Sequence, residues 1–419
     1  MLPRIGRTLP PTAAPVAFRD LLQGLKGMIW EEKIFERLEI AFQDFFGVKH
    51  LFFLSSGKAA LKLGLAALQS ISGRQKVIIP AYTCFSVPAS VASAGLKVAL
   101  CDLELERLDF NPDLLNQMLD DETLCVIHTH LFGIPSNLNL FREKCKMKGI
   151  FILEDACQAM GSNFQGMKTG TLGDLSFFSF GRGKNITSGS GGILLTSSDQ
   201  IADAIAREYA VISKEPPIKR FLNWMEVVGI YALIRPSIYW LPAALPFLRL
   251  GETQYDPEFP VYRMDGGRGG LLKSWKKRME HLNGLRQAAA LDYRECLKEE
   301  VLIPVMKPKE TIPFLRFPVL LENRNDKELL IGLSRKYGYG ISPMYPKAIQ
   351  DIPDVPFFPG QRHCPEARKI ADTLVTLPTH PYLTRQDRVK ISGVVNEVVL
   401  KVAANNANRL SLSFERQKT

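Results

Sequence analysis

Between residues 45 and 200, short apolar runs alternate with stretches of helical period. Leu51–Leu54 (LFFL), Val77–Ile79 (VII), Val98–Asp102 (VALCD), Leu124–Ile127 (LCVI) and Ile150–Leu153 (IFIL) read as buried strands. Ala59–Leu68 and the patterns near 86–94, 112–119 and 137–148 read as helices between them. Continuous apolar strands alternating with helices predict an α/β fold, a mostly parallel sheet with helices on both faces. Ligands gather at the carboxyl ends of the strands in such sheets. Asp155, Ser179 and the 181–190 loop lie at or just past such ends.

Residues 224–250 (WMEVVGIYALIRPSIYWLPAALPFLRL) break the alternation. The segment is apolar but interrupted by Arg235, Pro236, Pro242 and Pro246, so its pieces fall short of the roughly 20 residues of a spanning helix. It reads as a buried crossover or oligomer contact; the competing reading is an interfacial hairpin with Trp224, Tyr231, Tyr239 and Trp240 at headgroup level. A long helical pattern runs from Trp275 to Leu297, Phe314–Leu321 is strand-like, and Asp326–Tyr337 and Arg388–Val402 are helical. The chain therefore divides into an N-terminal arm (1–34), a large domain (35–274, with the insert 224–250), a smaller C-terminal α+β domain (275–405) and a polar tail (406–419).

A length of 419 residues fits two domains better than one core. The net charge of +10 is spread along the chain without a dense basic run, so nucleic acid is not an expected partner. A diffuse positive surface suits anionic metabolites or a membrane face. Seven cysteines without a CxxC pair speak against disulfides and structural zinc and for a reducing, cytoplasmic compartment. His128 and His130 would point the same way from one strand, but no third ligand lies nearby, so core or pocket polar groups are expected and no metal. The N-terminal MLPRIGRTLPPTAAPVAF has no apolar core of signal length, and its prolines predict an extended arm.

Three pieces carry chemistry. Ser55-Ser56-Gly57 precedes a helix and is either a cap or a phosphate site. Asp155 ends a strand in LEDACQA and is either structural or the partner of a cationic ring nitrogen. Lys184 sits in FFSFGRGKNITSGSGG (177–192), among five glycines expected to let the backbone pass close to a bound molecule. A loop lysine is ordinarily solvated; in this ordered set it supplies what a pyridoxal phosphate enzyme needs, a Schiff-base lysine beside a phosphate cup and a ring-facing acid.

SSGKAAL (55–61), IIPAYTCFSVPASVASAG (78–95), HLFGIPSNL (130–138), ILEDACQAMGSNFQG (152–166), GDLSFFSFGRGKNITSGSGG (173–192) and LPTHPYL (377–383) resemble the DegT/DnrJ/StrS sugar aminotransferases. The resemblance covers about 35–400 and implies a fold-type I pyridoxal phosphate transferase with a mostly parallel seven-stranded sheet. It implies that Lys184 carries the cofactor and moves protons, Asp155 pairs with the pyridine nitrogen, and Gln158 sits by the phenolic oxygen. Ser179 and the amides of Ser56 and Gly57 would hold the phosphate. It further implies a homodimer with shared sites, an amino-acid donor such as glutamate and a nucleotide-linked keto-sugar acceptor, in polysaccharide or glycoconjugate biosynthesis.

Some positions depart from the family pattern. Lys58 replaces a small hydroxyl residue and either reaches the phosphate or points outward. Cys84 stands where an aromatic ring stacks on the cofactor, with Phe85 and Tyr82 as substitutes; Ser190 stands where relatives carry an acid. Only Tyr262-Arg263-Met264 remains of an Asn-Tyr-Arg-Met segment. Arg182, Arg263 and His130 are the weak candidates for substrate contact. Two other readings compete: a pyridoxal phosphate sugar dehydratase, which would lack Lys184, and a membrane-associated scaffold without turnover, touching the inner membrane through 224–250.

Overall fold

The computed structural model describes residues 5–245, 250–251, 253–304, 310–360 and 362–416. Seven strands form the central sheet: β1 (His50–Leu54), β2 (Lys76–Pro80), β3 (Lys97–Cys101), β4 (Thr123–Thr129), β5 (Phe151–Asp155), β6 (Leu175–Ser179) and β7 (Gly192–Thr196). Their order across the sheet is β1-β7-β6-β5-β4-β2-β3. β7 runs antiparallel to both neighbours, and every other pair is parallel. The expected mostly parallel seven-stranded α/β sheet is the one the chain forms. β2, β4 and β7 are buried along their whole length, which is why they read as unbroken apolar runs.

The helix Gly57–Ser72 starts where Ser56 Oγ accepts the Ala59 N–H (3.1 Å) and stops at Gly73 in the left-handed conformation. Residues 5–17 follow the extended course expected of the arm, but Phe18–Ile29 is a helix and a second one begins at Glu31. The first helix lies backbone to backbone on Gly266–Leu271: a Cβ at Gly27 would come within 2.0 Å of the Gly266 carbonyl oxygen. The insert forms the helix Pro217–Leu233 and the turn Trp240–Ala243, with 246–249 outside the described residues. Val227 is fully buried against Val16, Leu21 and Leu271, so this helix leans on the one at 18–29. Among the described residues no helix is long and apolar enough to cross a membrane.

A second layer pairs β8 (Phe317–Leu320) with β9 (Leu374–Leu377), antiparallel. Phe317, Val319, Val375, Leu377, Ile391 and Val395 share a core with Tyr293 from the long helix Trp275–Cys296. The last helix starts at Arg385 and continues past the expected end at Val402 to Arg416, because no glycine or proline follows Gly393 to stop it. Only residues 417–419 of the expected tail lie outside the described residues.

Candidate active site

Sheet register brings distant residues to one edge. Leu54 and Ser179 both pair with Gly192, Phe177 pairs with Asp155, and Asp155 pairs with Thr129. Past this carboxyl edge lie Ser55-Ser56-Gly57, the loop 181–191 and Cys157-Gln158. A Cβ on Gly57 would stand 2.9 Å from Ser179 Cβ, so only glycine lets the helix start this close to that hydroxyl. The amides of Gly57 and Lys58 precede the first helical hydrogen bond, and Ser56 Oγ is committed to Ala59 N–H. Free helix-start amides beside the Ser179 hydroxyl form an anion cup.

Asp155 is 5% exposed, and its Oδ1 accepts the Cys157 N–H at 3.1 Å. Burial first, and then the Asp155 carboxylate, push the Cys157 thiol well above its ordinary range, while the Lys184 ammonium pulls the other way. One thiol thus feels both Asp155 and Lys184, so both charges lie near Cys157. The Lys184 loop is held from below by Arg286, which is fully buried. Its guanidinium donates to the carbonyls of Asn185 (2.9 Å), Ala13 (3.3 Å) and Lys184 (3.4 Å) and to Asn283 Oδ1 (3.0 Å). Burial lowers the Arg286 pKa to about 9. It ties the lysine loop to the long helix and to the arm.

Residues 18–231 and 261–398 match the profile of the DegT/DnrJ/EryC1/StrS aminotransferase family. The chain belongs to this family. A GDP-perosamine synthase from Vibrio cholerae is 33% identical over 175 residues, 42% of this chain. The chain spans 47% of that relative's length, about half. A dTDP-3-amino-3,4,6-trideoxy-alpha-D-glucose transaminase from Streptomyces venezuelae is 25% identical over 368 residues, 86% of each chain. The crystal structure of a DegT DnrJ EryC1 StrS aminotransferase from Brucella abortus superposes with a TM-score of 0.70 at 21% identity, covering 91% of this chain and 95% of that one, which shows the shared fold. The family match is interrupted between 231 and 261, where much of the apolar insert lies.

Several residues singled out in this DegT/DnrJ/EryC1/StrS chain stand elsewhere than expected. The Lys58 side chain turns outward, 4.4 Å from the Phe259 ring centroid and 3.8 Å from Asp256, leaving only its amide at the cup. Gln158 is committed within the protein: Phe132 N–H donates to Oε1 (3.2 Å), and Nε2 donates to Tyr345 Oη (3.0 Å). Cys84 receives the Ser86 hydroxyl (3.0 Å), and Phe85 packs its ring 6.2 Å from that of Tyr345. Arg182 is exposed and pairs with Glu226 (3.4 Å). Arg263 donates to the carbonyls of Tyr209 and Ala210, both at 2.9 Å, and so closes a helix end rather than facing a ligand. The loop glycines also answer to protein neighbours. A Cβ on Gly189, at φ +85°, would meet Val227 Cγ2 at 2.6 Å, so this glycine admits the insert helix rather than a ligand. Tyr345 enters the site unannounced, from beyond residue 300, through its bond to Gln158.

The two strand histidines are interior groups. His130 Nδ1 accepts the Ser136 N–H (2.9 Å), so its Nε2–H donates to Glu154 (2.9 Å); both residues are fully buried and both ring nitrogens are occupied within the protein. Burial would raise the Glu154 pKa, but the His130 hydrogen bond and the amides of Gly170 and Gly173 win, so its net shift is downward. His128 Nδ1 donates to Ser136 Oγ (2.8 Å), which itself donates to Asp109 (2.6 Å). His380 Nε2 donates to the Pro10 carbonyl (2.9 Å) and so pins the arm. Burial lowers His128 from 6.5 to about 4 and His380 from 6.5 to about 3. The unfolded chain therefore takes up protons below pH 6.5 that the folded chain refuses, and stability falls as pH drops from 6.5 toward 4. The loss is about 3 kcal/mol per histidine by pH 4. Urea denaturation at pH 7 and pH 4 is expected to give a markedly lower midpoint in acid; equal midpoints would contradict the buried neutral histidines.

Proposed function

We propose that the protein is a pyridoxal phosphate-dependent aminotransferase. It moves an amino group from an amino acid, glutamate being the favoured donor, to a keto group of a nucleotide-linked sugar in polysaccharide or glycoconjugate biosynthesis. The observation that carries this reading is the convergence of Asp155, Lys184 and the Gly57–Ser179 cup on one edge of the sheet. The residues fit the cofactor: a glycine-only cradle at Gly57 with free amides and a hydroxyl for a phosphate, a buried carboxylate for a cationic nitrogen, and an amine on the adjoining loop. When bound, pyridoxal phosphate supplies an electron sink for the carbon that bears the amino group.

In this reading Lys184 Nζ takes the proton from the donor carbon and returns it to the neighbouring position, acting as base and then acid. Asp155 keeps the ring nitrogen protonated through charge at close range in a buried setting. Ser179 and the Gly57 and Lys58 amides anchor the phosphate. Arg286 fixes the Lys184 carbonyl, so the side chain swings from a rigid base. Retention of Lys184 favours amino transfer over sugar dehydration, and the names of the two curated relatives support a sugar-nucleotide acceptor. The test is to supply the cofactor, glutamate and keto nucleotide sugars and to look for an amino sugar by mass spectrometry. No amine on any acceptor, with 2-oxo acid also absent, would contradict it.

Gly57→Ala probes the cup. Its methyl must push Ser179 away, at a cost of about 1–3 kcal/mol. Titrating the cofactor-free protein with pyridoxal phosphate should show roughly 10- to 100-fold weaker binding with the fold intact.

The proposal also includes a division into two domains near residue 275. It includes pairing of two copies with shared sites, supported by the exposed Phe18, Leu22, Ile29, Trp30, Ile218 and Leu222 on adjoining helices. Light scattering at monomer mass would remove the pairing. Exposed Leu233, Ile238, Leu241 and Leu245 support peripheral membrane contact through 224–250. Liposome flotation unchanged by deleting that segment would remove it. Seven free thiols support a reducing, cytoplasmic site of action.

A further inference from the structure

LPTHPYL (377–383) joins β9 to the last helix, and its polar centre is the buried His380. His380 Nδ1 accepts the Tyr382 N–H (3.3 Å), which fixes the ring proton on Nε2. That Nε2–H donates to the Pro10 carbonyl (2.9 Å). Burial keeps the ring neutral, so it remains a donor at one nitrogen only. The second layer therefore grips the backbone of the N-terminal arm at a defined point. Leu9 strengthens the grip: it is buried in the core of that layer, and its N–H donates to the Gly338 carbonyl (2.9 Å).

A few residues further on, the arm changes partner. Thr12 Oγ1 donates to the Gly183 carbonyl (3.4 Å), and a Cβ on Gly183, at φ +76°, would meet Thr12 Cγ2 at 2.5 Å. The arm thus lies directly on the loop that carries Lys184. Two arginines of the long helix Trp275–Cys296 lace the two strands of chain together. Arg286 Nη2 donates to the carbonyls of Ala13 (3.3 Å) and Lys184 (3.4 Å). Arg278 Nη2 donates to the carbonyls of Pro15 (3.5 Å) and Thr187 (3.1 Å). Each guanidinium spans one arm carbonyl and one loop carbonyl, and its rigid fork fixes the spacing between them. Only Pro11 and Thr12 separate the acceptor of His380 from the acceptor of Arg286. Pro10 and Pro11 have fixed φ, so this short stretch carries little slack.

We infer that the arm segment 9–15 is a positioning element for Lys184, and that His380, acting through it, is a positioning residue of the reaction. The second layer holds Pro10, the stiff Pro10-Pro11 step carries that hold to Thr12 and Ala13, and these set the loop from which the Lys184 side chain reaches out. What Lys184 does there rests on the aminotransferase reading.

The test uses the full chain with three substitutions. His380→Phe keeps the ring and removes the donor, and His380→Gln restores an N–H near the Nε2 position. Thr12→Ala takes away the hydroxyl and methyl that press on Gly183. Hydrogen exchange of the cofactor-free protein, read by mass spectrometry, should show the amides of 181–188 exchanging about 10-fold faster in His380→Phe and less strongly so in Thr12→Ala. The amides of β4 and β5 should keep the parent rate, and His380→Gln should return toward the parent. With pyridoxal phosphate bound, the circular dichroism of the visible band should change in His380→Phe and recover in His380→Gln. The turnover rate with glutamate should fall about 10-fold in His380→Phe, with the half-saturating concentration little changed. Loop exchange at the parent rate in either His380→Phe or Thr12→Ala would overturn the inference. So would faster exchange spread evenly over the sheet, which marks lost stability alone, or a loosened loop with dichroism and turnover at parent values, which marks a structural tie. If His380→Phe does not fold, Thr12→Ala decides by the same criteria. A loaded parent protein that consumes no amino acid would remove the aminotransferase reading, while loop exchange and dichroism would still decide whether the arm positions Lys184.

Discussion

Lys184→Ala is expected to reduce amino transfer about 10,000-fold or more, because the proposed reaction relies on this amine to carry protons between the donor and acceptor carbons. The phosphate cup and Asp155 remain, so the variant should still bind pyridoxal phosphate, now without a covalent link and with a changed visible spectrum. The Lys184 carbonyl, which Arg286 grips, is backbone and survives the substitution, so the loop should keep its shape. Single-turnover mixing with glutamate measures the effect directly. A small primary amine added to the solution should restore part of the rate by occupying the vacated space. A variant retaining more than a tenth of the parent rate would remove Lys184 from the chemistry.

Asp155→Asn is expected to slow the same half-reaction roughly 1,000-fold while leaving the fold and most cofactor binding intact. Asparagine keeps the size of the side chain and an oxygen to accept the Cys157 N–H, so only the charge is lost. That charge sits at a position 5% exposed, where little solvent screens it, and its removal lets the ring nitrogen lose its proton. The effect should fall on the turnover rate rather than on the donor concentration needed for half saturation. An increase confined to the half-saturating concentration would assign Asp155 to binding instead.

Much of this site could be read in the chain because its parts are local. Asp155 ends an apolar strand, Ser179 ends the next, and Gly57 opens a helix behind a capping serine; each is a boundary that period and residue type announce. The parts that were not legible depend on contacts far apart in sequence. β7 inserts antiparallel between β1 and β6, and it alone sets Ser179 opposite the end of β1; no local pattern in GILLT carries that direction. Gln158 finds its partner in Tyr345, from far along the chain. Glycines that looked reserved for a ligand accommodate neighbours from the arm and the insert, such as Thr12 at Gly183 and Val227 at Gly189. Lys58 shows the reverse case: its helix position was legible, but Phe259 and Asp256, which decide where its side chain goes, sit in a segment whose placement sequence pattern does not reveal.

The central claim is that Lys184 is the residue that holds the cofactor and performs the proton transfers. It is tested most directly by loading the purified chain with pyridoxal phosphate, reducing with borohydride, digesting and mapping the modified peptide by mass spectrometry. The assignment predicts a coloured protein whose visible band is lost on reduction, with the pyridoxyl group on Lys184 and none on Lys58. A pyridoxyl group on another lysine, or no attachment at all, would contradict it.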